Sequence, residues 1–435
     1  MLQGNNSARE RLEQVLARLD GRQAEERAFV KLYPHKARAE ADAADVRMRE
    51  GRSLGPLDGR LISVKDLFDV AGEPTLAGSI IRRDAPSATR DAIIIERLRQ
   101  AGAMIVGKTH MTEFAFTAVG LNPHYPVPGN ATDAALIPGG SSSGAAVSAA
   151  EGTCEVAIGS DTGGSVRIPA ALNGLVGFKP SAQRIPLDGA FPLAPNLDSI
   201  GPLARYVADC AMTDAIMAGE TPLPLVAAPL AGATIGVPRG KLLSGMEPAI
   251  ARAYDHILGL FSASGATLTD FPIDDLLDRL AEATAIGSIA GIEASHIHAG
   301  WLGDTDAPVD IRVKSTLVRR LKVPQPAYEA LLRKRGELVC AMDERLSTVD
   351  MLAMPTTPIT AVPIASVENN ENEYRRVEDL LLRNTQVVNQ FDFTAITLPM
   401  PEMERPAGLM LAARNGSDRR LFGLAATVET LLGAR

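Results

Sequence analysis

The sequence has few cysteine residues and no long apolar run. Its three cysteines, Cys154, Cys210 and Cys340, lie far apart and form no CxxC pair. This cysteine usage excludes a disulfide scaffold and predicts a reducing compartment. No segment approaches the roughly 18 consecutive apolar residues of a membrane span, and the first residues lack the charged and apolar regions of a signal peptide. We therefore expect a soluble, cytoplasmic protein that does not bind membranes.

The sequence also has no excess of basic residues. Acidic residues outnumber basic ones by 52 to 44, and the net charge at pH 7 is −8. This balance disfavours a nucleic-acid partner held by phosphate contacts. Aromatic residues make up only 4% of the chain and hydrophobic residues 46%. Aliphatic side chains and alanine must therefore fill most of a large core.

Two clusters of glycine and serine are the most distinctive feature that the sequence does contain. Residues 139–144 read GGSSSG and residues 161–165 read DTGGS. Between them, the small residues 145–150 predict a tightly packed helix, and the apolar residues 156–158 predict a buried strand. The order loop, helix, strand, loop favours a structure in which the two serine-bearing loops emerge near one another.

Such clusters most often form flexible linkers or tight turns. These two, however, lie within apolar, helix-like and strand-like surroundings, which is not typical of a polar spacer. Glycine lets a ligand approach the backbone closely, and successive N–H groups can form a nest for an anion. An oxyanion hole for acyl transfer needs this arrangement.

Residues 137–170 as a whole resemble the amidase signature of the serine amidases that use a Ser–Ser–Lys triad. The resemblance continues in residues 174–180 (GLVGFKP), 197–202 (LDSIGP) and 351–356 (MLAMPT). It implies an α/β fold, namely an α/β/α sandwich in which helices flank both faces of a large mixed central β-sheet. It also implies hydrolysis of a carboxamide C–N bond, without a metal or an organic cofactor.

The resemblance assigns each member of the triad. In this family a lysine in a VKD-like context is the base, which here is Lys65; spacing alone would favour a solvated strand end. Ser141 is the bridging serine and Ser165 the nucleophile, and the separations of 76 (141 − 65) and 24 (165 − 141) positions match the family layout. A lysine can act as a base when burial lowers its pKa. The family's bridging serine follows a cis peptide bond, which we expect near Gly140–Ser141.

Further site residues follow from the same resemblance. The expected oxyanion hole consists of the backbone N–H groups of Thr162, Gly163, Gly164 and Ser165. Asp161 and Arg167 are expected to pair and to brace the nucleophile loop. The candidates for substrate binding are Gly139, Gly140, Ser142 and Phe114.

Three other motifs compete with this interpretation. Residues 102–109 (GAMIVGKT) match the Walker A pattern, but their variable positions are strand-like and the preceding residues 91–101 are helix-like, so we predict a buried strand. Residues 161–163 (DTG) resemble an aspartic protease triplet, but the chain has no second triplet to share the proton. None of the six histidines lies in a triad context.

An alternative function lies within the resemblance. The glutaminase-type subunit of the glutamyl-tRNA amidotransferase carries the same triad and supplies ammonia to a partner subunit. Its signature usually continues with glutamine after the arginine and later with a YGLVAF-type stretch. Here residues 167–169 read RIP and residues 189–195 read GAFPLAP. Both departures favour a stand-alone amidase.

Length alone predicts about three domains, whereas the resemblance predicts a single domain over residues 1–435. Within it we expect an N-terminal helical layer (1–60), a catalytic core (61–215), a variable, mostly helical insert (216–350) and a return to the core sheet (351–435). A helix is also expected to begin within residues 109–116. The expected partner is a small amide substrate, with a homodimer left open.

Overall fold

Within the part of the chain that the computed structural model describes, residues 7–22 and 26–433, eleven strands form one sheet. The strands are β1 (Phe29–Leu32), β2 (Leu61–Lys65), β3 (Met104–Thr109), β4 (Val156–Ser160), β5 (Val176–Lys179), β6 (Ile200–Ala204), β7 (Thr234–Val237), β8 (Thr267–Asp270), β9 (Met351–Pro355), β10 (Thr394–Pro399) and β11 (Gly408–Ala413). Their order across the sheet is β1-β3-β2-β4-β6-β5-β10-β11-β9-β7-β8.

Helices are distributed along the whole chain. They are α1 (Ala8–Asp20), α2 (Pro34–Arg49), α3 (Ile93–Gln100), α4 (Ser143–Glu151), α5 (Arg167–Leu172), α6 (Val207–Ala218), α7 (Pro248–Ala263), α8 (Asp274–Ala283), α9 (Ile289–Ile297), α10 (Ile311–Arg320), α11 (Gln325–Leu346), α12 (Ile364–Val367), α13 (Glu371–Gln390) and α14 (Asp418–Leu431). None of the described helices is long and apolar enough to cross a membrane.

The sheet is mixed, as the sequence predicted. Strand β2 runs parallel to β3 and β4, and β7 runs parallel to β8 and β9. Five pairs of neighbouring strands are antiparallel, namely β4–β6, β6–β5, β5–β10, β10–β11 and β11–β9. Because β2 and β4 are parallel neighbours, their carboxyl ends place Lys65 and Ser160 at the same edge of the sheet.

Helices cover both faces of the sheet. Successive side chains of a strand point to opposite faces, so Ile62 and Val64 of β2 join one cluster with residues of α3, α6, α7 and α14. Leu61 joins a separate cluster with residues of α1, α2 and α4. Further along the sheet, α5 and α13 pack in clusters distinct from that of Ile62, whereas α11 contributes to that cluster and to a separate one. The predicted α/β/α sandwich is therefore confirmed.

The N-terminal region contains one strand that the sequence did not reveal. A capping box begins α1, because the Ser7 Oγ atom accepts a hydrogen bond from the Glu10 N–H and the Glu10 carboxylate accepts one from the Ser7 N–H. Strand β1, however, pairs antiparallel with β3 and extends the sheet. Its four residues are too few to show a periodic pattern.

The prediction of a helix within residues 109–116 was wrong. Strand β3 continues to Thr109, and a short 3₁₀ turn, Glu113–Ala115, follows. Phe114 and Ala115 have φ values of 53° and 59°, which a right-handed helix of L-residues does not accept. Residues 109–115 are buried without forming an α-helix.

The Walker A-like segment is a strand, as predicted. Residues 104–109 form β3, and all six are buried. The Lys108 Nζ atom lies 3.6 Å from Asp66 Oδ1 and 3.4 Å from Glu73 Oε1. Lys108 thus pairs with carboxylates of the protein and does not lie in a phosphate-binding loop.

The insert is largely helical and also contributes to the sheet. Helices α7 to α11 lie in residues 248–346, and β7 and β8 form one end of the sheet next to β9. The proposed division of the chain into segments stays a prediction.

Candidate active site

The end of β2 places a lysine in the interior of the protein. The Lys65 side chain is fully buried, and its Nζ atom lies 2.7 Å from Ser141 Oγ and 2.9 Å from Ser160 Oγ. Burial lowers the pKa of Lys65 to about 7, although the negative charges of Asp161 and Asp198 act in the opposite direction. The amine can therefore be neutral near physiological pH, which is the form that accepts a proton.

The first glycine-serine loop holds Ser141 through close backbone packing. The Gly140–Ser141 peptide bond is cis, as expected from the sequence. A Cβ atom added at Gly140 would lie 2.9 Å from the Gly120 nitrogen, so a side chain does not fit there. The Ser142 N–H donates to the Ser165 carbonyl at 3.3 Å. This bond joins the two glycine-serine loops directly.

A buried ion pair braces the second loop. Arg167 donates from Nη2 to Asp161 Oδ1 at 2.8 Å and from Nε to Asp161 Oδ2 at 3.0 Å, with both side chains fully buried. The Asn389 amide donates to the same carboxylate at 2.9 Å. Burial acts to raise the pKa of Asp161, but Arg167, Asn389 and Lys179 together outweigh burial and hold that pKa at about 2. The Asp161 carboxylate is therefore charged, and the expected pairing is present.

One of the expected oxyanion donors is already engaged. The Gly164 N–H donates to Asp161 Oδ1 at 2.9 Å, so this amide belongs to the loop's internal bracing. Gly164 has a φ of 131°, which favours glycine. A Cβ atom there would collide with the Thr385 side chain, whose hydroxyl donates to the Gly163 carbonyl at 2.7 Å.

A cavity of about 370 Å³ opens on the nucleophile loop and includes Thr162, Gly163 and Ser165 in its lining. A second, smaller cavity of about 160 Å³ includes Ser160 and is mainly apolar. Ala115 and Leu193 line both cavities. Pockets of these sizes suit a small ligand, and Ser165 is the triad candidate that reaches one.

The predicted substrate-binding residues do not lie in the cavity wall. Gly139, Gly140 and Ser142 are buried in loop packing. Phe114 is only 2% exposed, and its ring lies 4.1 Å from the His298 ring and 6.0 Å from the Trp301 ring. The neighbouring residues 115 and 116 line the Ser165 cavity instead. Phe114 thus supports the cavity from behind.

Sequence reasoning missed two groups of residues at the site. Ser160, which contacts Lys65, directly precedes the DTGGS cluster, and the alternation along β4 was the only signal for it. The cavity walls supplied by α10 and α13, including Arg312, Arg320 and Glu378, come from segments without a recognisable motif. Their spacing indicates helices but not what the helices face.

Comparison with known proteins agrees with this geometry. The family model described as Amidase matches residues 10–422. The 2-amino-5-chloromuconic acid deaminase of Comamonas testosteroni is 35% identical over 92% of this chain and 87% of that protein. A glutamyl-tRNA(Gln) amidotransferase subunit of Chloroflexus aurantiacus is 33% identical over 96% of this chain and 92% of that protein.

A solved structure described as the crystal structure of an amidase superposes with a TM-score of 0.87 and 32% sequence identity, over 99% of this chain and 97% of the other. The chain therefore belongs to the amidase family. It is an enzyme that hydrolyses amide C–N bonds.

Proposed function

We propose that Ser165 is the nucleophile and that Ser141 and neutral Lys65 carry its proton. The observation that supports this assignment is the 2.7 Å contact between Lys65 Nζ and Ser141 Oγ at a fully buried lysine. A serine hydroxyl needs a positioned base to react at neutral pH. The lowered pKa of Lys65, about 7, makes the amine a suitable base at that pH.

The reaction proceeds through an acyl-enzyme. Ser165 Oγ attacks the carbonyl carbon and forms a C–O bond while its proton passes to Ser141 and the proton of Ser141 passes to Lys65. The reverse transfer protonates the amide nitrogen, the C–N bond breaks, and ammonia or an amine leaves. Water then attacks the acyl-enzyme with the same relay and releases the carboxylic acid. Every bond that forms or breaks and every proton that moves in these steps is accounted for without a cofactor.

The developing oxyanion is held by backbone N–H groups of the nucleophile loop. We assign this role to Thr162, Gly163 and Ser165, because the Gly164 N–H is occupied by Asp161. Thr162 and Gly163 line the cavity beside Ser165. Donors fixed by a rigid loop stabilise the transition state without reorganisation, and the ion pair between residues 161 and 167 supplies that rigidity.

The substrate class is a small carboxamide, consistent with a cavity of about 370 Å³. A second candidate function is supply of ammonia from glutamine to a partner subunit, favoured by the similarity to the Chloroflexus amidotransferase subunit. The RIP sequence at 167–169 and the GAFPLAP sequence at 189–195 favour the stand-alone activity.

Ammonia release from a panel of primary amides, glutamine included, tests the proposal with purified protein alone. We expect turnover that Ser165→Ala abolishes and that Ser366→Ala, a change at a partly exposed serine, leaves unchanged. A fluorophosphonate probe should label the wild-type protein at Ser165. Turnover or labelling that persists in Ser165→Ala contradicts the assignment.

The proposal also covers the domain organisation, the oligomeric state and the cellular location of the protein. The chain acts as one amidase domain, as a monomer or a homodimer, and takes a small amide as its partner. A cytoplasmic location is supported by three free cysteines, Cys154, Cys210 and Cys340. Size-exclusion chromatography with light scattering measures the oligomeric state.

A further inference from the structure

The outer wall of the Ser165 cavity carries many charged side chains. Helices α10 and α13 contribute four arginines to it, Arg312, Arg319, Arg320 and Arg375. Helix α13 also contributes three carboxyl groups, Glu371, Glu378 and Asp379. The local balance of charge depends on which of these groups pair with one another.

Two of the arginines pair with carboxylates of the protein. Glu371 accepts hydrogen bonds from Arg312 Nε at 3.2 Å and from Arg375 Nε at 2.8 Å. The Arg312 guanidinium also lies 4.1 Å from the centre of the Tyr374 ring. Arg312 Nη1 also lies 3.7 Å from Asp310 Oδ2, so both arginines are engaged by carboxylates of the protein.

Glu378 carries less than a full negative charge near pH 7. Its carboxyl accepts a hydrogen bond from the Ala118 N–H at 3.1 Å, and burial raises its pKa to about 7. Asp379 is the remaining acidic group of the wall. The wall therefore has an excess of positive charge.

That excess is located on Arg319 and Arg320. Among the described residues, neither side chain forms an ion pair with a carboxylate. Arg319 Nη2 donates only to Thr316 Oγ1 at 3.3 Å, and Arg320 Nη1 donates to the Ile286 carbonyl at 3.1 Å. The Arg320 Nε atom is shielded from solvent and has no hydrogen-bond partner. A buried donor without an acceptor is costly, so the Arg320 Nε atom can donate to an oxygen of a ligand.

We propose that the amide substrate carries a carboxylate, which Arg319 and Arg320 bind while the scissile amide lies at Ser165. This inference rests on the proposed function, because both arginines line the cavity that contains Ser165. The planar guanidinium fork matches a carboxylate, and such charge-assisted hydrogen bonds are strong. The subsite selects amides of dicarboxylic acids over neutral amides.

Binding is tested with the Ser165→Ala protein, which cannot turn the ligand over. Succinamate, glutaramate and adipamate are titrated calorimetrically beside the neutral butanamide, pentanamide and hexanamide. At least one acid should bind about tenfold or more tightly than its neutral partner. Arg319→Gln and Arg320→Gln should each reduce this preference about tenfold, whereas Arg320→Lys should retain part of it.

Arg376→Gln is the matched control. Arg376 lies on α13 beside Arg375, but it pairs with Glu373 and does not line the cavity. The control should leave the preference intact. If no acid binds more tightly than its neutral partner, or if the preference persists in the Arg319→Gln/Arg320→Gln double variant, the proposal is overturned.

Turnover by the wild-type protein separates this proposal from the proposed function. Arginine-dependent binding of an acid, with no ammonia released from any amide, supports the subsite and contradicts the serine mechanism. Ammonia release that Ser165→Ala abolishes, with no binding preference for the acids, overturns the subsite and supports the mechanism. If both the subsite and the serine mechanism are correct, the arginine variants should lower kcat/KM for the amide that carries a carboxylate about tenfold or more. The kcat/KM of the same variants for the neutral amide should stay within about twofold of the wild-type value.

Discussion

The Lys65 Nζ atom lies 2.7 Å from Ser141 Oγ, although 76 positions separate the two residues in the chain. Both side chains are fully buried, and burial lowers the pKa of Lys65 to about 7. Only the neutral amine accepts a proton, so activity should rise as pH passes upward through this value. On a neutral amide, kcat/KM should be half-maximal near pH 7 and reach a plateau above about pH 8.

The profile is measured between about pH 5 and 10 in buffers of constant ionic strength, with a neutral amide so that substrate ionisation does not contribute. Lys65→Met should abolish turnover while the Ser165 hydroxyl remains. An activity that rises only near about pH 10, the ordinary range of a lysine, would contradict a buried neutral base.

Ser160 should act as a positioning residue for Lys65. Its Oγ atom lies 2.9 Å from Lys65 Nζ, and removal of this hydroxyl leaves Ser141 as the only hydroxyl held by the amine among the described residues. We expect Ser160→Ala to lower kcat about tenfold with little change in KM. The charged amine loses more from this deletion than the neutral amine, so the pKa of Lys65 falls and the rising part of the pH profile moves to lower pH.

Ser63→Ala is the matched control for this change. Ser63 lies two residues before Lys65 on β2, is equally buried, and contacts the Ser148 hydroxyl at 2.9 Å. Its loss should affect stability without moving the pH profile. If both variants shift the profile equally, the effect of Ser160 is structural and not specific to Lys65.

The resemblance to the amidase signature was sufficient to predict the sheet, its helical layers and the Lys65–Ser141 pair, because that signature is long and ordered. It was not sufficient for residues 109–116, where a helix was expected but Phe114 adopts a positive φ within an aromatic cluster. The sequence also did not predict that α10 and α13 form a wall of the cavity. Helical periodicity shows which face is polar, but the partner of that face is determined by tertiary packing.

Gly164 should be irreplaceable because of both its backbone conformation and its surroundings. Its φ of 131° disfavours a side chain, and a Cβ atom would collide with Thr385. We expect Gly164→Ala to displace the nucleophile loop and to lower kcat/KM by about a hundredfold or more, comparable to loss of an oxyanion donor.

Gly72→Ala serves as the control for backbone strain. Gly72 has a φ of 89°, and a Cβ atom added there would meet no atom within 4 Å. This variant should lose some stability and retain its kcat/KM. If Gly164→Ala retains wild-type activity as well, close packing of the nucleophile loop against Thr385 is not required for catalysis.

The Asp161–Arg167 pair should contribute more to stability than any exposed ion pair of the described residues. Removing one partner leaves a buried charge uncompensated, which costs about 3–5 kcal/mol. Arg167→Met should therefore lower the melting temperature strongly, whereas Arg239→Met, which breaks the exposed Arg239–Asp270 pair, should leave it unchanged. Calorimetry at about pH 7 measures both.

The pH dependence of the same pair has a definite sign. The pKa of Asp161 is about 2 in the folded protein and about 3.9 in an unfolded chain. The unfolded state then binds more protons between these values, so the stabilisation is complete above about pH 5 and is lost as pH falls toward about 2. Arg167→Met should remove the share of this acid sensitivity that Asp161 contributes. Equal loss of melting temperature between about pH 5 and 3 in wild-type protein and Arg167→Met would show that other carboxylates account for it.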